Sequence, residues 1–132
     1  MKVVISDYVW PNIDIEKNFF ESKNIDLVVS NNKSDLKKQI VDADGLLFCF
    51  ESIDEDILRS SKNLKVAQRY GIGVDNININ VATEIGVVVA NIPDYCIDEV
   101  SDHAMSMILS LNRLLPRDSD LVKKGMWNEI KK

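Results

Sequence analysis

The sequence predicts an α/β fold built on a five-stranded parallel sheet that is doubly wound, with helices on both of its faces. Five short, almost purely apolar runs alternate with segments whose apolar residues recur at three- and four-residue steps. A strand that is apolar throughout is typically buried on both faces, as in a parallel sheet, and right-handed connections distribute the helices over both faces. The predicted strands are Val3–Ile5, Ile25–Val29, Leu46–Phe50, Leu64–Ala67 and Val87–Ala90.

Residues that cap helices support this alternation. Ser34, Asp54 and Asn78 each stand where a side-chain oxygen can accept a hydrogen bond from the first turn of a helix. Gly86 suits the left-handed position that ends many helices. The helices predicted between the strands are Asn12–Ser22, one capped by Ser34, a short one capped by Asp54, and Ile79–Ile85.

The last third of the chain has a different pattern. Apolar residues recur at helical steps from Ile97 to Leu115, and Met105 and Leu109 add apolar surface on another side. A helix that is apolar on more than one face must be covered from more than one direction. We expect Pro116 to end this helix and a more polar helix to follow over Arg117–Lys124.

The composition is that of one globular domain with a sizeable core, with 132 residues, 45% hydrophobic and 28% charged. A net charge of −5 without a basic stripe argues against nucleic acid as a partner. The N-terminal apolar run is too short for a signal peptide or a membrane span, so no membrane partner is expected. Cys49 and Cys96 lack metal-ligand spacing and are predicted to be reduced thiols in a cytoplasmic protein. The single histidine, His103, cannot anchor a multi-histidine metal site, and we predict no metal.

The stretch Arg69–Asn76 is the candidate functional site. Gly71 and Gly73, one residue apart, allow a sharp backbone turn at a strand end and leave amide N–H groups uncovered. Arg69 precedes them with a fork of donors that suits a carboxylate. From these residues alone two interpretations stay open, a carboxylate-binding loop or a tight strand-to-helix turn beside a surface arginine.

The same stretch does not match a dinucleotide-binding fingerprint. That motif needs a third glycine three residues after the second, and Asn76 stands at this position. It also needs an acidic residue about twenty residues on, at the end of a second strand, whereas Asp94 follows Pro93 in a loop. We therefore predict no NAD-binding residues in this chain.

Five segments taken together resemble a known family. They are Arg69–Ile77, Gly86–Val89, Asn91–Pro93, Val100–Ala104 and Gly125–Trp127. In this combination the chain resembles the N-terminal part of the NAD-dependent D-isomer-specific 2-hydroxyacid dehydrogenases, the group that includes D-lactate, D-3-phosphoglycerate and formate dehydrogenases. No single segment is specific, but the combined pattern is. The residues before this run fit the family's fold and carry little of its signature.

The resemblance implies a flavodoxin-like substrate domain over residues 1–95, followed over residues 96–132 by a helical segment that leads towards an NAD-binding Rossmann domain. That Rossmann domain is absent from the sequence, and the family's catalytic Arg, Glu and His lie beyond residue 132. We therefore expect a fragment or truncated product of an oxidoreductase that interconverts a D-2-hydroxy acid and a 2-oxo acid with NAD. By itself this chain is expected to be inactive and to bind no NAD.

The resemblance also suggests site residues and a partner. Arg69 and the backbone amides of Ile72 and Gly73 are expected to hold the carboxylate of the small 2-oxo or 2-hydroxy acid. Tyr95 is a candidate for lining the pocket, although a core or rim position is the simpler interpretation. The helix Ile97–Leu115 is implied to take part in homodimerisation.

Three positions need separate interpretation. His103 matches a histidine at the start of the family's long helix and not the catalytic one, so we expect it to pack or hydrogen-bond at the domain junction. Many relatives place Arg or Ser in the loop after the third strand, where this chain has Phe50-Glu51-Ser52. A carboxylate there repels an anionic substrate unless it points away. Asp102 replaces a glutamate that is usual in the family.

Two other functions can be weighed against the oxidoreductase. A non-enzymatic interaction module, like the relatives that act as transcriptional corepressors, would suit a chain without the cofactor half. A phosphoacceptor receiver domain shares the sheet order, but it needs an acidic pair after the first strand, an aspartate after the third and a lysine after the fifth. This chain offers Asp7, then Glu51, and no lysine near Asn91, so that function is discarded.

Overall fold

The computed structural model of the protein describes residues 1–130, which divide into two compact units. The first unit, Met1–Pro93, contains the sheet, and the second begins at Asp94 and is helical. The sequence predicted this boundary after residue 95, and the structure has it two residues earlier, after Pro93.

The first unit is built on a five-stranded sheet in which every neighbouring pair of strands is parallel. The strands are β1 (Lys2–Ile5), β2 (Asp26–Val29), β3 (Gly45–Phe48), β4 (Val66–Arg69) and β5 (Val88–Ala90). Their order across the sheet is β2-β1-β3-β4-β5. The predicted five-stranded parallel sheet is confirmed, and the direction of winding reverses between β1 and β3.

Four helices connect these strands: α1 (Asp14–Ser22), α2 (Lys33–Gln39), α3 (Glu55–Ser60) and α4 (Ile79–Glu84). A 3₁₀ turn, Ile40–Asp42, follows α2. Because the winding reverses after β2, right-handed connections put α1 on one face of the sheet and α2, α3 and α4 on the other.

The main core lies between the sheet and the face that α2, α3 and α4 cover. Alternate strand residues such as Val4, Leu46, Phe48 and Ala67 point into it and are fully buried. The helices and loops contribute Leu36, Ile40, Ile53, Ile57, Leu58, Val81 and Ala82. Each fully buried Leu, Ile or Phe stabilises the fold by roughly 1.5–3 kcal/mol, so the strand ends that carry the rim loops are held firmly.

The helix starts agree with the sequence at two positions and differ at one. Asp54 and Asn78 cap α3 and α4, and each side chain accepts a hydrogen bond from the amide three residues on, at 3.0 and 3.1 Å. The cap of α2 is Asn32 and not Ser34, so that prediction was wrong. The Asn32 side chain accepts from the amide of Asp35 at 3.0 Å, which places Ser34 inside the first turn. Gly86 has a φ of 77°, as expected for the residue that ends a helix.

Two strand ends also differ from the predictions. β3 ends at Phe48 rather than Phe50, because the next two amides turn away from the ladder towards a carboxylate at the end of β1. β4 continues to Arg69 rather than ending at Ala67, because its last two residues pair with β3. In both cases strand pairing, and not hydrophobicity, sets the boundary.

The second unit consists of α5 (Ile97–Asn112), α6 (Leu115–Lys123) and a 3₁₀ turn, Trp127–Glu129. The break after α5 lies at Leu114, whose left-handed conformation has a φ of 53°. The prediction that Pro116 ends the long helix was therefore wrong. Pro116 lies in the first turn of α6, where a proline costs no hydrogen bond.

None of the residues of α5 is buried. Its exposed apolar side chains include Ile97, Val100, Met105, Met107, Ile108, Leu109 and Leu111. The expectation of apolar surface on more than one side of this helix is met. Within residues 1–130, no helix combines the length and apolar character that crossing a membrane requires.

Candidate functional site

The loops that follow the parallel strands lie along one rim of the sheet. Hydrogen bonds connect them directly: the amide of Tyr70 donates to the carbonyl of Phe48 at 2.8 Å, and the amide of Ile92 donates to the carbonyl of Gly71 at 2.9 Å. The carboxyl ends of parallel strands are where ligands bind in sheets of this kind. The predicted candidate residues Arg69, Ile72 and Gly73 are all on this rim.

Arg69 is the last residue of β4, and its half-buried guanidinium is oriented by two backbone carbonyls. Its Nε donates to the carbonyl of Cys49 at 3.2 Å, and its Nη1 donates to the carbonyl of Gly73 at 2.5 Å. Within residues 1–130, no protein group is hydrogen-bonded to Nη2. The arginine therefore spans the loops after β3 and β4 and keeps one nitrogen for another partner.

The two glycines of the loop lie close to this guanidinium, and a side chain at either position would crowd it. A Cβ on Gly71 would lie 3.1 Å from Nη1 and 3.2 Å from Cζ of Arg69, and one on Gly73 would lie 3.3 Å from Nη1. Neither glycine has a positive φ, whereas Gly86 and Gly125 do. Gly71 thus leaves space for the arginine, and Gly73 leaves space for the Asp75 carboxylate, at 3.2 Å, as well as for the arginine. The conformational freedom of a positive φ, expected from the sequence, is used at neither position.

The glycine loop uses its carbonyls internally. The carbonyl of Ile72 accepts from Nδ2 of Asn91 at 2.8 Å, and those of Gly71 and Gly73 accept from the Ile92 amide and from Arg69. No hydrogen bond joins the amides of Ile72 and Gly73 to any group in the described part of the chain. The loop is therefore held in place through its acceptors, while these two donors stay unpaired.

A shallow cavity of about 120 Å³ adjoins Arg69. Phe50, Asp75 and Asn76 complete its lining. The Phe50 side chain is 68% exposed and supplies an apolar wall. The lining carries a cationic residue, Arg69, and an acidic residue, Asp75, so an anion that enters the cavity is attracted by the first and repelled by the second.

Asn76 cross-links the two loops on either side of the cavity. Its Nδ2 donates to the carbonyl of Cys49 at 3.2 Å and to that of Glu51 at 2.8 Å. The backbone continues this connection, because Ile53 and Ile77 form a parallel bridge. At the position where a dinucleotide fingerprint has its third glycine, this chain thus carries a structural side chain. Sequence reasoning noted the asparagine only as a mismatch.

Asp7, directly after the Ser6 that follows β1, is the second residue that sequence reasoning missed. Its carboxylate accepts hydrogen bonds from the amides of Cys49, Phe50 and Glu51 at 2.9, 2.6 and 3.1 Å, and from Oγ of Ser6 at 2.6 Å. Burial raises the pKa of Asp7, but the hydrogen bonds from Ser6 and the three amides outweigh it and lower the pKa below its usual value. The ionised carboxylate of Asp7 is therefore a negative charge of the protein itself on this rim.

Glu51 presents its carboxylate to its own loop. Its Oε1 accepts from the amide of Ser52 at 3.1 Å, and Glu51 is not among the residues that line the cavity beside Arg69. An acid at this position repels an anionic ligand unless it points away, and the Glu51 side chain is engaged by its own loop.

Two other groups near the rim are unsuited to proton transfer or nucleophilic attack. Burial, and then the Glu16 carboxylate that accepts from the Tyr70 hydroxyl at 3.0 Å, raise the pKa of Tyr70 well above its usual value. The Trp10 ring packs edge-on against Tyr70 with centroids 4.6 Å apart. Burial, followed by the charge of Asp7, raises the pKa of the Cys49 thiol. Both groups therefore stay protonated at neutral pH.

The remaining predicted residues lie in the second unit. Tyr95 is 61% exposed in the segment before α5, and His103 is an exposed residue of α5. Their roles as a pocket residue and as a junction residue stay predictions. Cys49 and Cys96 are both free thiols, as expected.

Comparison with known proteins identifies the family. A family model described as the catalytic domain of D-isomer specific 2-hydroxyacid dehydrogenases matches residues 3–127. The D-3-phosphoglycerate dehydrogenase of Methanocaldococcus jannaschii is 30% identical over 129 residues, which cover 97% of this chain and 24% of that protein. The chain thus spans about a quarter of the length of that relative.

Solved structures agree with this comparison. An NAD⁺-bound 3-phosphoglycerate dehydrogenase from Entamoeba histolytica superposes with a TM-score of 0.70 at 26% identity, covering 83% of this chain and 38% of that one. A D-lactate dehydrogenase from Aquifex aeolicus, complexed with NAD and lactic acid, shares the fold with a TM-score of 0.79 at 23% identity, covering 99% and 39% of the two chains. Because the family model spans nearly the whole sequence, the chain belongs to the D-isomer specific 2-hydroxyacid dehydrogenases and corresponds to the catalytic domain of that family.

Proposed function

We propose that this chain is the substrate-domain portion of an oxidoreductase that interconverts a D-2-hydroxy acid and a 2-oxo acid with NAD. In this proposal Arg69 and the amides of Ile72 and Gly73 hold the carboxylate of the acid. The family's catalytic Arg, Glu and His are not among residues 1–132, so the chain alone does not catalyse the reaction.

One observation carries the proposal: the amides of Ile72 and Gly73 are unpaired beside an arginine that keeps Nη2 free. A carboxylate has two oxygens with about four acceptor sites, which matches two amides and a guanidinium nitrogen. The carbonyls of the loop already have donors, so the groups left to bind a carboxylate are these two amides and Nη2. A charge-assisted bond to arginine is roughly twice as strong as a neutral one.

The described residues do not fit a dinucleotide. Pyrophosphate binding in this class of fold depends on a glycine-rich strand-to-helix turn, and at the decisive position the Asn76 side chain is committed to the carbonyls of Cys49 and Glu51. We therefore assign NAD to the full-length protein and not to this chain. Calorimetric titration of the chain with NAD is expected to show no micromolar binding.

The carboxylate site is tested by titrating the ¹⁵N-labelled chain with pyruvate. The amide signals of Ile72 and Gly73 are expected to shift together, with weak affinity. Arg69→Lys removes the planar fork and both carbonyl contacts, and is expected to weaken binding about tenfold or more. Arg59→Lys is the matched control, because Arg59 forms exposed ion pairs with Glu55 and Glu84 on α3 and α4. Shifts confined to other loops would contradict the site.

We also propose that the chain forms a dimer through Ile97–Leu115, either a symmetric one or a swapped one in which the segment after Pro93 docks on a neighbouring copy. The α5 segment leaves its apolar side chains exposed. Each of them stabilises an interface by roughly 1.5–3 kcal/mol when buried, so five or more offset an association cost of about 4–15 kcal/mol. Light scattering is expected to give twice the 15.0 kDa chain mass.

The dimer is tested by changing Ile108 and Leu111 together to Glu, which is expected to give a monomer or an aggregate. Ser106→Glu together with Ser110→Glu places the same two charges on the side of α5 opposite Ile108 and Leu111 without removing apolar surface, and is expected to leave the dimer intact. A clean monomer for the unaltered chain would refute this interface.

A further inference from the structure

The strands β1 and β3 meet where the winding of the sheet reverses, so the ends of these strands diverge into a crevice. In this chain the crevice holds the carboxylate of Asp7. Three consecutive amides, those of Cys49, Phe50 and Glu51, converge on it. An arc of successive backbone N–H groups is an anion-binding arrangement, and here the anion belongs to the protein.

The other side of the same loop faces β4. The carbonyl of Cys49 accepts from Nε of Arg69 and from Nδ2 of Asn76, and the carbonyl of Glu51 accepts from Asn76 as well. The loop Cys49–Glu51 therefore lies between two sets of polar groups, with its amides on Asp7 and its carbonyls on the residues around the candidate site. A displacement of its amides also displaces the carbonyl that orients Arg69.

We propose that Asp7 is a positioning residue for Arg69, acting through the loop Cys49–Glu51. By holding three amides of this loop, Asp7 fixes the Cys49 carbonyl, which in turn holds Nε of the guanidinium while Nη2 has no hydrogen-bond partner within residues 1–130. Asp7 itself does not line the cavity beside Arg69. The last link, from arginine orientation to ligand binding, rests on the proposed carboxylate site.

The chemistry of the group explains why an aspartate serves here. An ionised carboxylate accepts hydrogen bonds on both oxygens and donates none. Cys49 and Ser6 donate to Oδ1, and Phe50 and Glu51 donate to Oδ2. An asparagine would turn an NH₂ group towards amides that are themselves donors, so it fits the space but not the hydrogen bonding.

The test compares Asp7→Asn with Asp26→Asn in the full chain by NMR. Asp26 is an exposed acid at the start of β2 whose side chain has no hydrogen bond within residues 1–130, so it controls for the loss of one negative charge. In Asp7→Asn, hydrogen exchange at the amides of Cys49, Phe50 and Glu51 is expected to rise about tenfold or more beyond the rise seen in the strand amides of Gly45–Phe48. The strand amides are expected to change only by the common factor that the loss of global stability sets. The Nε–H signal of Arg69 is expected to shift and to exchange faster.

This pattern separates positioning from general stabilisation. If Asp7 only stabilised the fold, the amides of Cys49–Glu51 would show no larger rise in exchange than the strand amides, and that result would overturn the proposal. An unchanged Arg69 Nε–H signal in a folded Asp7→Asn protein would overturn it as well. If Asp7→Asn does not fold, Ser6→Ala decides, because it removes one hydrogen bond from the same carboxylate. It should move the same signals in the same direction by a smaller amount, and no movement refutes the proposal.

The affinity for pyruvate is measured in a separate titration. Pyruvate affinity is expected to fall several-fold in Asp7→Asn and to stay unchanged in Asp26→Asn. If the unaltered chain does not bind pyruvate, the proposed carboxylate site fails, while the Arg69 Nε–H signal still reports whether Asp7 positions the arginine. A folded Asp7→Asn protein with unaltered affinity and an altered Arg69 signal would refute the last link of the proposal.

Discussion

Two groups of backbone amides on the same rim of the sheet differ in whether a protein group accepts their hydrogen bonds. The amides of Cys49–Glu51, after β3, converge on the carboxylate of Asp7. Those of Ile72 and Gly73, after β4, have no partner within residues 1–130. The chemistry of the two groups is the same, since both are uncovered N–H donors at the carboxyl end of a parallel strand. The difference shows that the neighbouring strand decides whether such donors are occupied by a protein group or left unpaired.

The neighbours explain the difference. β1 lies beside β3 and is followed by Asp7, a side chain that can only accept when ionised. β5 lies beside β4 and is followed by Asn91, whose Nδ2 donates to the carbonyl of Ile72. Asp7, after β1, accepts hydrogen bonds from the amides of the β3 loop, whereas Asn91, after β5, donates one to a carbonyl of the β4 loop. The β4 loop is therefore held through its carbonyls, and its Ile72 and Gly73 amides have no partner within residues 1–130. The β3 loop is held through its amides.

The largest expected effect is on stability, and it comes from replacing the carboxylate that binds the amides of the β3 loop. Asp7→Asn leaves amides of the β3 loop without an acceptor and should lower the free energy of unfolding by about 2 kcal/mol at neutral pH. Because the folded-state pKa of Asp7 is lowered, its contribution is complete above the unfolded-state pKa of about 3.9 and is lost as pH falls through the folded-state pKa.

Urea unfolding of both proteins over a range of pH measures this effect. The difference in unfolding free energy should be constant near neutral pH and shrink below about pH 4. Asp35, Asp42, Asp44 and Asp54 also have lowered pKa values, but they are present in both proteins and cancel in the difference. A difference that grows on acidification would contradict the role of the ionised carboxylate.

An intermediate effect is expected from adding a side chain to the β4 loop beside Arg69. Gly71→Ala puts a Cβ against Cζ and Nη1 of Arg69, which displaces the guanidinium and should weaken pyruvate binding about fivefold or more, with a stability loss of about 1 kcal/mol. Gly86→Ala is the control: its Cβ meets no atom within 4 Å, but its φ of 77° makes the substitution strained by a similar amount. Equal losses of affinity in both variants would show that strain, and not the arginine, determines binding.

The smallest effect is expected at Glu51. Its carboxylate is engaged by the Ser52 amide and does not line the cavity, so Glu51→Gln should change pyruvate affinity by less than about twofold in a screened buffer. Isothermal titration of the two proteins side by side measures this. A tenfold gain in affinity would show that the acid reaches the ligand and repels it.

The order and type of the elements could be predicted because they depend on contacts that are close in the chain. Apolar runs marked all five strands, and Asp54, Asn78 and Gly86 marked helix ends through bonds within one turn or through one residue's φ. The errors at helix ends arose where two local signals competed, and those at the ends of β3 and β4 arose from strand pairing. Asn32 and Ser34 are both good caps, and Leu114 ended α5 two residues before the proline that was expected to do so.

The candidate site divides in the same way. Arg69, Ile72 and Gly73 could be named from the sequence because they are neighbours in one short loop. Asp7 and Asn76 could not, because the amides that Asp7 binds lie 42 to 44 residues away and the carbonyls that Asn76 binds lie 25 to 27 residues away. Which loops become neighbours depends on the strand order β2-β1-β3-β4-β5. The sequence by itself determined the strands, the glycine loop and the arginine. Only the packed sheet decided which donors a neighbouring side chain would occupy, because hydrogen bonds between loops form only after strand pairing has brought their ends together.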